Sequence, residues 1–163
     1  MIHLQPLGET NFDLQWLAKE LEKKFEKATI VNPKIEIPIS CFNRRRGQFN
    51  STCIITFFKT EVVTLFITEK DIYADDMNFV FGEAEIGGKR AIISINRLKS
   101  QDENLFRQRV LKEAIHELGH VFGLIHCKNK GCVMNFSSNV FEVDKKTQNF
   151  CFNCLKKLKR DPI

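Results

Sequence analysis

One stretch of twenty residues, Ile115 to Met134, constrains this chain more than any other part of it. It reads IHELGHVFGLIHCKNKGCVM and contains three of the four histidines and two of the six cysteines. If residues 103–122 form one helix, His116 and His120 lie one turn apart on the same face, with Glu117 at its edge. Both imidazoles can then bind one metal ion.

The rest of this predicted helix has the pattern of a helix that packs on a core. Its opposite face is apolar and consists of Val110, Leu111, Ala114, Ile115, Leu118, Val121 and Phe122. Gly123 follows, and glycine ends helices readily because it adopts the left-handed conformation. A sharp turn there allows His126 to reach the same ion from outside the helix. The stretch therefore predicts three nitrogen ligands and one open position.

The open position indicates catalysis. Structural zinc is usually four-coordinate and closed, whereas three protein ligands plus water are typical of a catalytic site. A carboxylate beside water whose pKa zinc has lowered to about 7 can take a proton and pass it to a leaving group. Glu117 is therefore predicted to be the general base. The alternative, that two histidines four residues apart are a chance surface pair, is weakened by Gly123, His126 and Met134.

Four cysteines follow the third histidine in two pairs. Cys127 and Cys132 have the spacing C-x4-C, and Cys151 and Cys154 have the spacing C-x2-C. The order H-E-x-x-H-x-x-G-x-x-H followed by a methionine is the metzincin signature. Together with the cysteines, the stretch resembles the archaemetzincins, small metzincins in which a catalytic zinc is followed by a second zinc held by four cysteines. The loop before the third cysteine is one residue shorter than in the family pattern, a difference that a loop absorbs.

The resemblance implies a zinc-dependent metallopeptidase with two zinc ions per chain. His116, His120 and His126 would bind the catalytic zinc, with water in the fourth position, and the four cysteines would bind a structural zinc. Glu117 would act as the general base. Met134 would form a hydrophobic floor beneath the catalytic metal without binding it. Known members of the family act on short peptides, which favours an aminopeptidase-like activity.

Two other functions stay open. The chain could be a zinc-stabilised binding or adaptor module without peptidase activity, in which both metals are structural and basic segments contact nucleic acid or a protein. Glu117 argues against this reading, because a purely structural site gains nothing from a carboxylate there. A narrower alternative is an amidase that acts on something other than a peptide.

Length and charge place modest limits on the chain. At 163 residues it is predicted to be one domain that buries roughly 70% of its unfolded surface. The net charge of +5 is a mild excess that does not require nucleic acid. The basic runs at residues 44–46 and 156–160 are predicted to be solvated surface, with an anion or nucleic-acid patch as the functional alternative.

The remaining cysteines bear on the compartment. No run of residues approaches the roughly eighteen apolar residues of a membrane span, and the start of the chain lacks the features of a signal peptide. A cytoplasmic location is therefore predicted. In a reducing cytosol, cysteines are expected as metal-bound thiolates or buried apolar residues and not as disulfides. Cys41 and Cys53, outside the cluster, are predicted to be buried or idle.

The pattern along the chain predicts an α+β fold, with a mixed twisted sheet of about five strands packed on helices, as in the metzincins. Strands are predicted at residues 1–6, 29–39, 61–68, 79–86 and 90–96. Pro33 and Pro38 prevent full pairing of residues 29–39, which are predicted to be an edge or bent strand. Helices are predicted at residues 11–27 with Asn11 as N-cap, at 48–59, after Ser100 as N-cap, and after Asp144 as N-cap. An upper part, residues 1–123, would hold the sheet and the active helix. A small C-terminal subdomain, residues 124–163, would carry the methionine turn, the cysteines and a helix, with the active site between the two parts.

Residues 79–86 and 90–96 are predicted to form a hairpin around Gly87-Gly88. A two-residue turn would place Glu85 opposite Arg90 across the strands. The first strand of the hairpin is expected to be the sheet edge at the active site, where an extended peptide could add as a further strand. Gly82 would permit close approach of that peptide. Asp71, Asp75 and Asp76 could bind calcium, but they lack the pattern of a calcium loop and are interpreted as ordinary loop polarity.

Overall fold

The computed structural model describes residues 1–160 of the chain. The strands are β1 Ile2–Leu7, β2 Thr29–Val31, β3 Phe42–Asn43, β4 Gln48–Asn50, β5 Val63–Thr68, β6 Ile72–Tyr73, β7 Gly82–Ala84 and β8 Arg90–Ser94. The α-helices are α1 Leu14–Phe25, α2 Ser51–Phe57, α3 Glu103–Val121, α4 Val140–Lys145 and α5 Phe152–Arg160. Short 3-10 turns lie at Ile39–Cys41 and Asn96–Leu98.

The main sheet has five strands in the order β2-β1-β5-β8-β7. Neighbouring strands are parallel from β2 to β8, and β7 pairs antiparallel with β8 at one edge. All six residues of the central strand β5 are buried, as expected for a continuous apolar run inside a parallel sheet. A second, smaller sheet has the order β3-β4-β6. The prediction of a mixed sheet of about five strands is confirmed.

Helices pack on both faces of the main sheet. Alternate residues of β5 point to opposite faces, so that Leu65 and Ile67 join the core under α1 and α3, whereas Phe66 joins the core under α2. Burying one such side chain contributes about 1.5–3 kcal/mol. The larger core extends along the chain from Ile2 to Cys154 and thus includes residues of both predicted parts. The division into an upper part and a small subdomain stays a prediction.

Two helices begin at different N-caps from those predicted. Asp13 caps α1, where Asn11 was expected, and Asp102 caps α3, where Ser100 was expected. In each case the aspartate carboxylate accepts a hydrogen bond from the third amide of the helix. The Ser100 hydroxyl instead accepts from the Asp102 backbone amide, and the Asn11 backbone amide donates to the Glu69 carboxylate. Asparagine, serine and aspartate are about equally good N-cap residues, so residue type does not distinguish the predicted caps from the observed ones.

The C-terminal segment also differs from the prediction. Asp144 does not begin the last helix; it lies inside α4, which is capped by Asn139, and the last helix begins at Phe152. The Asp144 carboxylate instead forms a bidentate ion pair with Arg109 of α3, with both N···O distances at 2.8 Å. This ion pair holds the pKa of Asp144 below its ordinary value, although burial opposes the shift. The residue therefore joins α4 to α3.

Two other predicted elements are shorter than expected. In residues 29–39 only Thr29–Val31 pairs as a strand, with a single bridge from Ile35 to Leu7, because Pro33 and Pro38 cannot donate ladder hydrogen bonds. Residues 48–59 divide into β4 and α2. Asn50 is the point of division, since its side chain accepts from the Cys53 amide as the N-cap of α2.

The hairpin between β7 and β8 has the predicted register. Glu85 lies opposite Arg90, and the Arg90 guanidinium donates to both carboxylate oxygens at 2.8 and 2.7 Å. Gly87 has φ of 72°, which an L-residue rarely adopts, and its amide donates to the carbonyl of His120 at 2.9 Å. The tip of the hairpin is therefore attached to the end of α3.

Cys41 and Cys53 form a disulfide, which contradicts the prediction that they are idle thiols. Their Cα atoms are 5.5 Å apart, because the 3-10 turn Ile39–Cys41 packs against α2. Cys41 is buried, as predicted. The pairing depends on how two short elements approach each other, and spacing in the sequence does not indicate this.

The surface agrees with the predictions where it is described. Arg44 and Arg45 are exposed, as are Lys156 and Lys157 of α5, and the side chains of residues 159 and 160 lie outside the described part. Arg46 is not simply surrounded by solvent, because its guanidinium stacks on the ring of Tyr73, with Cζ 3.9 Å from the ring centroid. Within residues 1–160, the helices are too short or too polar to cross a membrane.

Candidate metal centres and active-site cavity

Helix α3 brings two imidazoles together in a defined orientation. His116 and His120 are both buried, and their Nδ1 atoms lie 2.8 Å from the carbonyl of Val133 and 2.7 Å from the carbonyl of Leu124, respectively. A carbonyl oxygen can only accept, so each Nδ1 carries the proton and each Nε2 presents a lone pair. The two Nε2 atoms are 3.2 Å apart. Two nitrogens bound to one tetrahedral zinc at about 2.0–2.1 Å would be separated by about 3.4 Å, so the pair has the spacing of two zinc ligands.

His126 joins this pair from beyond the helix. Gly123, with φ of 100°, turns the chain back immediately after α3. The His126 ring centroid lies 5.3 Å from that of His116 and 4.9 Å from that of His120. One possible ligand atom from each ring lies within 4.8 Å of those of the other two. The structure thus brings together the three histidines singled out from the sequence.

The environment keeps these imidazoles neutral. Burial lowers the pKa of all three, and that of His116 falls well below its ordinary value. The positive charge of Lys146 lowers them further. Neutral imidazole is the form that binds metal. Orientation, protonation state and spacing therefore all fit a zinc ion.

Glu117 is buried beside the histidines against the edge strand β7. A Cβ atom at Gly82 would lie 2.8 Å from Oε2 of Glu117 and 2.6 Å from the carbonyl oxygen of Ile92. The space on this face of Gly82 is thus filled by the carboxylate, and the expectation that the glycine permits close approach of a peptide along the strand edge stays a prediction. Burial raises the pKa of Glu117 well above its ordinary value, and the negative charge of Glu113 raises it further.

Two charged residues near the histidines were not predicted from the sequence. Lys146 and Glu113 form an ion pair with an N···O distance of 3.2 Å, and their side chains are only 2% and 4% exposed. The Lys146 ammonium also donates to the carbonyl of Asn135 at 3.0 Å. Glu113 could have been found, because it lies one turn before Glu117 on the same helix face. Lys146 has no local signal, since it reaches the site only through the tertiary fold.

Met134 is fully buried and packs against α3 at Gly119. A Cβ atom at Gly119 would lie 2.6 Å from Met134 Sδ and 3.3 Å from the ring of Phe150. This close approach accounts for a glycine in mid-helix, which costs about 1 kcal/mol relative to alanine. Gly119 lies between His116 and His120 in the sequence, so Met134 packs against the turn of α3 that carries both histidines.

A cavity of about 600 Å³ opens in front of the histidines. The residues that line it include Phe79, Val80, Phe81, Gly82, Glu83, Ala84, Glu113, His116, Glu117, His120, His126, Phe136, Ser137 and Ser138. It therefore lies between the edge strand β7 and the segment that follows Met134. Tyr73, the only tyrosine, is outside this lining, and its hydroxyl accepts a hydrogen bond from Asn43.

The four cysteines outside the disulfide form a separate cluster. The Sγ atoms of Cys127 and Cys151 are 3.7 Å apart, and those of Cys132 and Cys154 are 3.8 Å apart. These distances are too long for a disulfide. Four sulfurs bound to one zinc at about 2.3 Å would lie about 3.8 Å from each other at the corners of a tetrahedron. The cluster thus has the size of a four-cysteine zinc site.

Hydrogen bonds to sulfur favour the thiolate form in this cluster. The Asn129 side chain donates to Cys151 at 3.3 Å, and the Cys154 amide donates to the same sulfur at 3.5 Å. These donors lower the pKa of Cys151 to about 6. Burial raises the pKa of Cys154 in the absence of a cation. Four sulfurs with N–H donors around them fit a divalent ion, which stabilises thiolates.

Groups of three or more potential metal ligands occur at two places in residues 1–160, namely the three histidines and the four cysteines. The aspartates after β5 are not a third such group. Asp71 forms an ion pair with Arg97, with an N···O distance of 2.8 Å. For Asp71 this contact agrees with the interpretation as ordinary loop polarity, and for Asp75 and Asp76 that interpretation stays a prediction.

An active helix that ends in a glycine turn, with a third histidine after the turn and a methionine packed against the same helix, defines the class of metzincin-type zinc peptidases. Comparison with known proteins identifies one family within this class. The family model described as Peptidase family M54 matches residues 14–160. The archaemetzincin of Methanocaldococcus jannaschii is 50% identical over 165 residues, which cover 96% of this chain and 92% of that protein. The chain belongs to peptidase family M54, the archaemetzincins, and is a zinc metallopeptidase.

Solved structures agree with this assignment. The crystal structure of the archaemetzincin of Archaeoglobus fulgidus, complexed with malonate, is similar with a TM-score of 0.92 and 49% identity, covering 96% of this chain and 98% of that chain. A zinc-dependent peptidase from Methanocorpusculum labreanum is similar with a TM-score of 0.86 and 28% identity, covering 97% of this chain and all of that one. The metzincin-like fold predicted from the sequence is therefore confirmed.

Proposed function

We propose that this metallopeptidase hydrolyses short peptides in an aminopeptidase-like manner and binds two zinc ions. His116, His120 and His126 would hold the catalytic ion. Cys127, Cys132, Cys151 and Cys154 would hold the structural ion. Glu117 would be the general base, and Met134 would form the floor behind the histidines.

One observation carries this proposal. The Nε2 atoms of His116 and His120 lie 3.2 Å apart, and both residues line the same cavity as the Glu117 carboxylate. A bound zinc ion would supply a Lewis acid that polarises the scissile carbonyl and makes water acidic. The Val133 and Leu124 carbonyls orient the two rings so that their lone pairs face the ion.

Glu117 moves the proton in this mechanism. Its carboxylate takes a proton from the attacking water and passes it to the nitrogen of the leaving amine. Helix α3 fixes its backbone, and the absence of a side chain at Gly82 leaves room for its oxygens. The carboxylate is thus held at the cavity by packing against β7.

Two features support short peptides as substrates. The cavity volume of about 600 Å³ is in the range of sites for small ligands. Strand β7 is an edge strand, and its residues 82–84 line the cavity, so an extended peptide can add to it as a further strand. The lining segment Phe79 to Phe81 offers apolar contacts to substrate side chains.

A cytoplasmic location and the absence of a nucleic-acid partner remain predictions. The Cys41–Cys53 disulfide weighs against a strongly reducing compartment. The exposed basic residues at positions 44 and 45 are far along the chain from the active helix and do not line its cavity. The proposed activity does not depend on either point.

Glu117→Gln tests the mechanism, because glutamine keeps the size and shape of glutamate but does not accept the proton. A peptide library digested by the parent enzyme and analysed by mass spectrometry would identify a cleaved peptide and its cleavage position. On that peptide we expect kcat to fall by about 10²- to 10⁴-fold in the variant, the usual contribution of general acid–base catalysis. Zinc content should stay at two ions per chain.

Glu20→Gln on α1 is the matched control and should leave kcat unchanged, because Glu20 pairs with Lys23 and does not line the cavity. If Glu117→Gln cleaves the peptide as fast as the parent, the general-base mechanism is wrong. The zinc-stabilised binding module would then be the better description of this site.

A further inference from the structure

Three large apolar side chains of the active-site cavity are exposed. Ile86, Ile125 and Phe136 are 59%, 62% and 53% exposed, and all three line the cavity that contains the histidines. Single exposed apolar residues are common on protein surfaces, whereas a group of them around one cavity is typical of a ligand-binding groove. We call these three residues the apolar recess.

The two isoleucines are brought to the same end of helix α3 by the backbone. The carbonyl of His120 accepts hydrogen bonds from the amides of Gly87 and Gly123, both at 2.9 Å. Ile86 directly precedes Gly87 at the tip of the hairpin, and Ile125 follows Gly123 by two residues. The hairpin tip and the glycine turn therefore meet at His120, and each of them presents one isoleucine to the cavity.

Phe136 borders the same end of the cavity from the segment after Met134. Its ring centroid lies 5.3 Å from that of His126, and the His126 ring lies 4.9 Å from the His120 ring. Ile125 is the residue directly before His126. The apolar recess thus adjoins two of the three proposed ligands of the catalytic zinc.

The other end of the cavity has the opposite character. Glu113 precedes His120 by seven residues, which corresponds to about 10 Å along α3. Its carboxylate is paired with the buried Lys146 ammonium at 3.2 Å. The cavity therefore has a charged end near the middle of α3 and an apolar end where α3 stops.

The size and chemistry of the recess indicate what it binds. A cavity of about 600 Å³ is in the range of small-ligand sites and is too small for a folded partner. Isoleucine and phenylalanine side chains have no hydrogen-bonding groups, so a polar side chain placed among them would lose water without gaining a partner. An apolar side chain loses nothing of this kind and gains from leaving water. The recess therefore favours an aliphatic or aromatic side chain.

We propose that Ile86, Ile125 and Phe136 form a specificity recess for a large apolar side chain of the peptide, on one side of the scissile bond. The scissile carbonyl must lie at the metal, and successive residues of an extended peptide are only about 3.3 Å apart. A residue that flanks the scissile bond is therefore the one whose side chain enters a recess next to His120 and His126. The inference rests on the proposed peptidase function, because it assigns a substrate class to the same cavity.

The test compares leucine with asparagine, two side chains of the same shape and different polarity. Each is placed in turn at the two positions that flank the scissile bond of a cleaved peptide. Calorimetry on zinc-loaded Glu117→Gln, which cleaves peptides far more slowly than the parent, measures the dissociation constants. We expect the leucine peptide to bind about 10- to 100-fold more tightly at one of the two positions. Its binding should also show the more negative heat-capacity change, the marker of apolar burial.

Two further changes, each added to Glu117→Gln, connect this preference to the recess. Ile86→Ser and Phe136→Ser should each reduce the preference for leucine by about 3- to 10-fold, and zinc content should stay at two ions per chain. Ile39→Ser is the matched control, because Ile39 is 78% exposed and does not line the cavity. It should leave the preference unchanged.

Equal binding of the leucine and asparagine peptides at both positions would overturn the recess. A preference that survives both Ile86→Ser and Phe136→Ser would also overturn it, because the apolar contact would then lie elsewhere. The proposed function is judged separately, by turnover in the parent enzyme. If the parent cleaves no peptide, the peptidase mechanism is contradicted. The same comparison on alanine tetrapeptides with one leucine or one asparagine then decides whether the recess stands.

Discussion

The histidine centre and the cysteine cluster are joined by a single peptide bond, between His126 and Cys127, yet they are built differently. Two of the three histidines come from one rigid helix, and all three line a cavity of about 600 Å³. The cysteines come from the turn after α3 and from the start of α5, and none of them lines that cavity. The first centre is open to a substrate and the second is closed. A catalytic zinc site differs from a structural one in that it keeps a coordination position open to water or substrate.

The neighbours of the two centres differ in a corresponding way. Backbone carbonyls accept from the histidine Nδ1 atoms, which orients neutral rings. N–H groups donate to the cysteine sulfurs, which stabilises negative charge. Hydrogen-bond acceptors therefore surround the neutral imidazoles, and hydrogen-bond donors surround the sulfurs that bind metal as thiolates.

The largest effect is expected from His120→Ala, which removes one of three ligands from the open centre. Turnover should be lost, because the remaining two imidazoles hold zinc weakly. Elemental analysis should fall from two zinc ions per chain to one, since the cysteine cluster is not touched. His3→Ala is the matched control. His3 lies on β1 beside Asn32, so this variant should keep both ions and full activity. Loss of both ions in His120→Ala would mean that the two centres are one cooperative unit.

An intermediate effect is expected from Cys154→Ser, which removes a ligand from the closed centre. The cysteine zinc should be lost, and because Cys127 follows His126, the third histidine should be held less firmly. We expect kcat/KM to fall by about 10- to 100-fold, as for other changes in groups that orient metal ligands. The histidine zinc should remain under saturating metal.

The control for this variant is Cys53→Ser, which also removes a sulfur but breaks only the disulfide. It should lower the free energy of unfolding by about 3 kcal/mol, the value for a loop closed over a separation of 12 residues, and should keep both zinc ions. Unchanged kcat/KM in Cys154→Ser, with the cysteine zinc gone, would show that the closed centre does not position His126.

The smallest effect is expected from Gly119→Ala, at the point where Met134 and Phe150 pack against α3. The new methyl group would meet Met134 Sδ at 2.6 Å and the ring of Phe150, which precedes Cys151, at 3.3 Å. Overpacking costs about 1–3 kcal/mol, and the better helix propensity of alanine offsets about 1 kcal/mol, so we expect a net loss of about 1 kcal/mol. Denaturant unfolding of the zinc-loaded protein measures it. A gain in stability would show that the buried methionine can move aside, and that the two centres are less tightly coupled than their contacts indicate.

The histidines and Glu117 could be predicted because their arrangement is local. Helical periodicity alone puts residues 116 and 120 on one face, and Gly123 alone permits the turn that returns the chain to His126. The Glu85–Arg90 pair could be predicted for the same reason, since the turn sets the register of a hairpin. The start of α1 could not, because Asn11 and Asp13 are equally good N-cap residues and the structure uses Asp13.

By itself, the sequence determined the ligand types, their spacing along the chain and the apolar face on which the active helix packs. Only the tertiary structure decided which groups surround that helix. Gly82 packs against Glu117, and Lys146 forms an ion pair with Glu113. The Cys41–Cys53 disulfide joins elements that pack together in the core under α2. Each contact joins residues on separate elements, and the packing of strands and helices, rather than any local period, sets the distance between them.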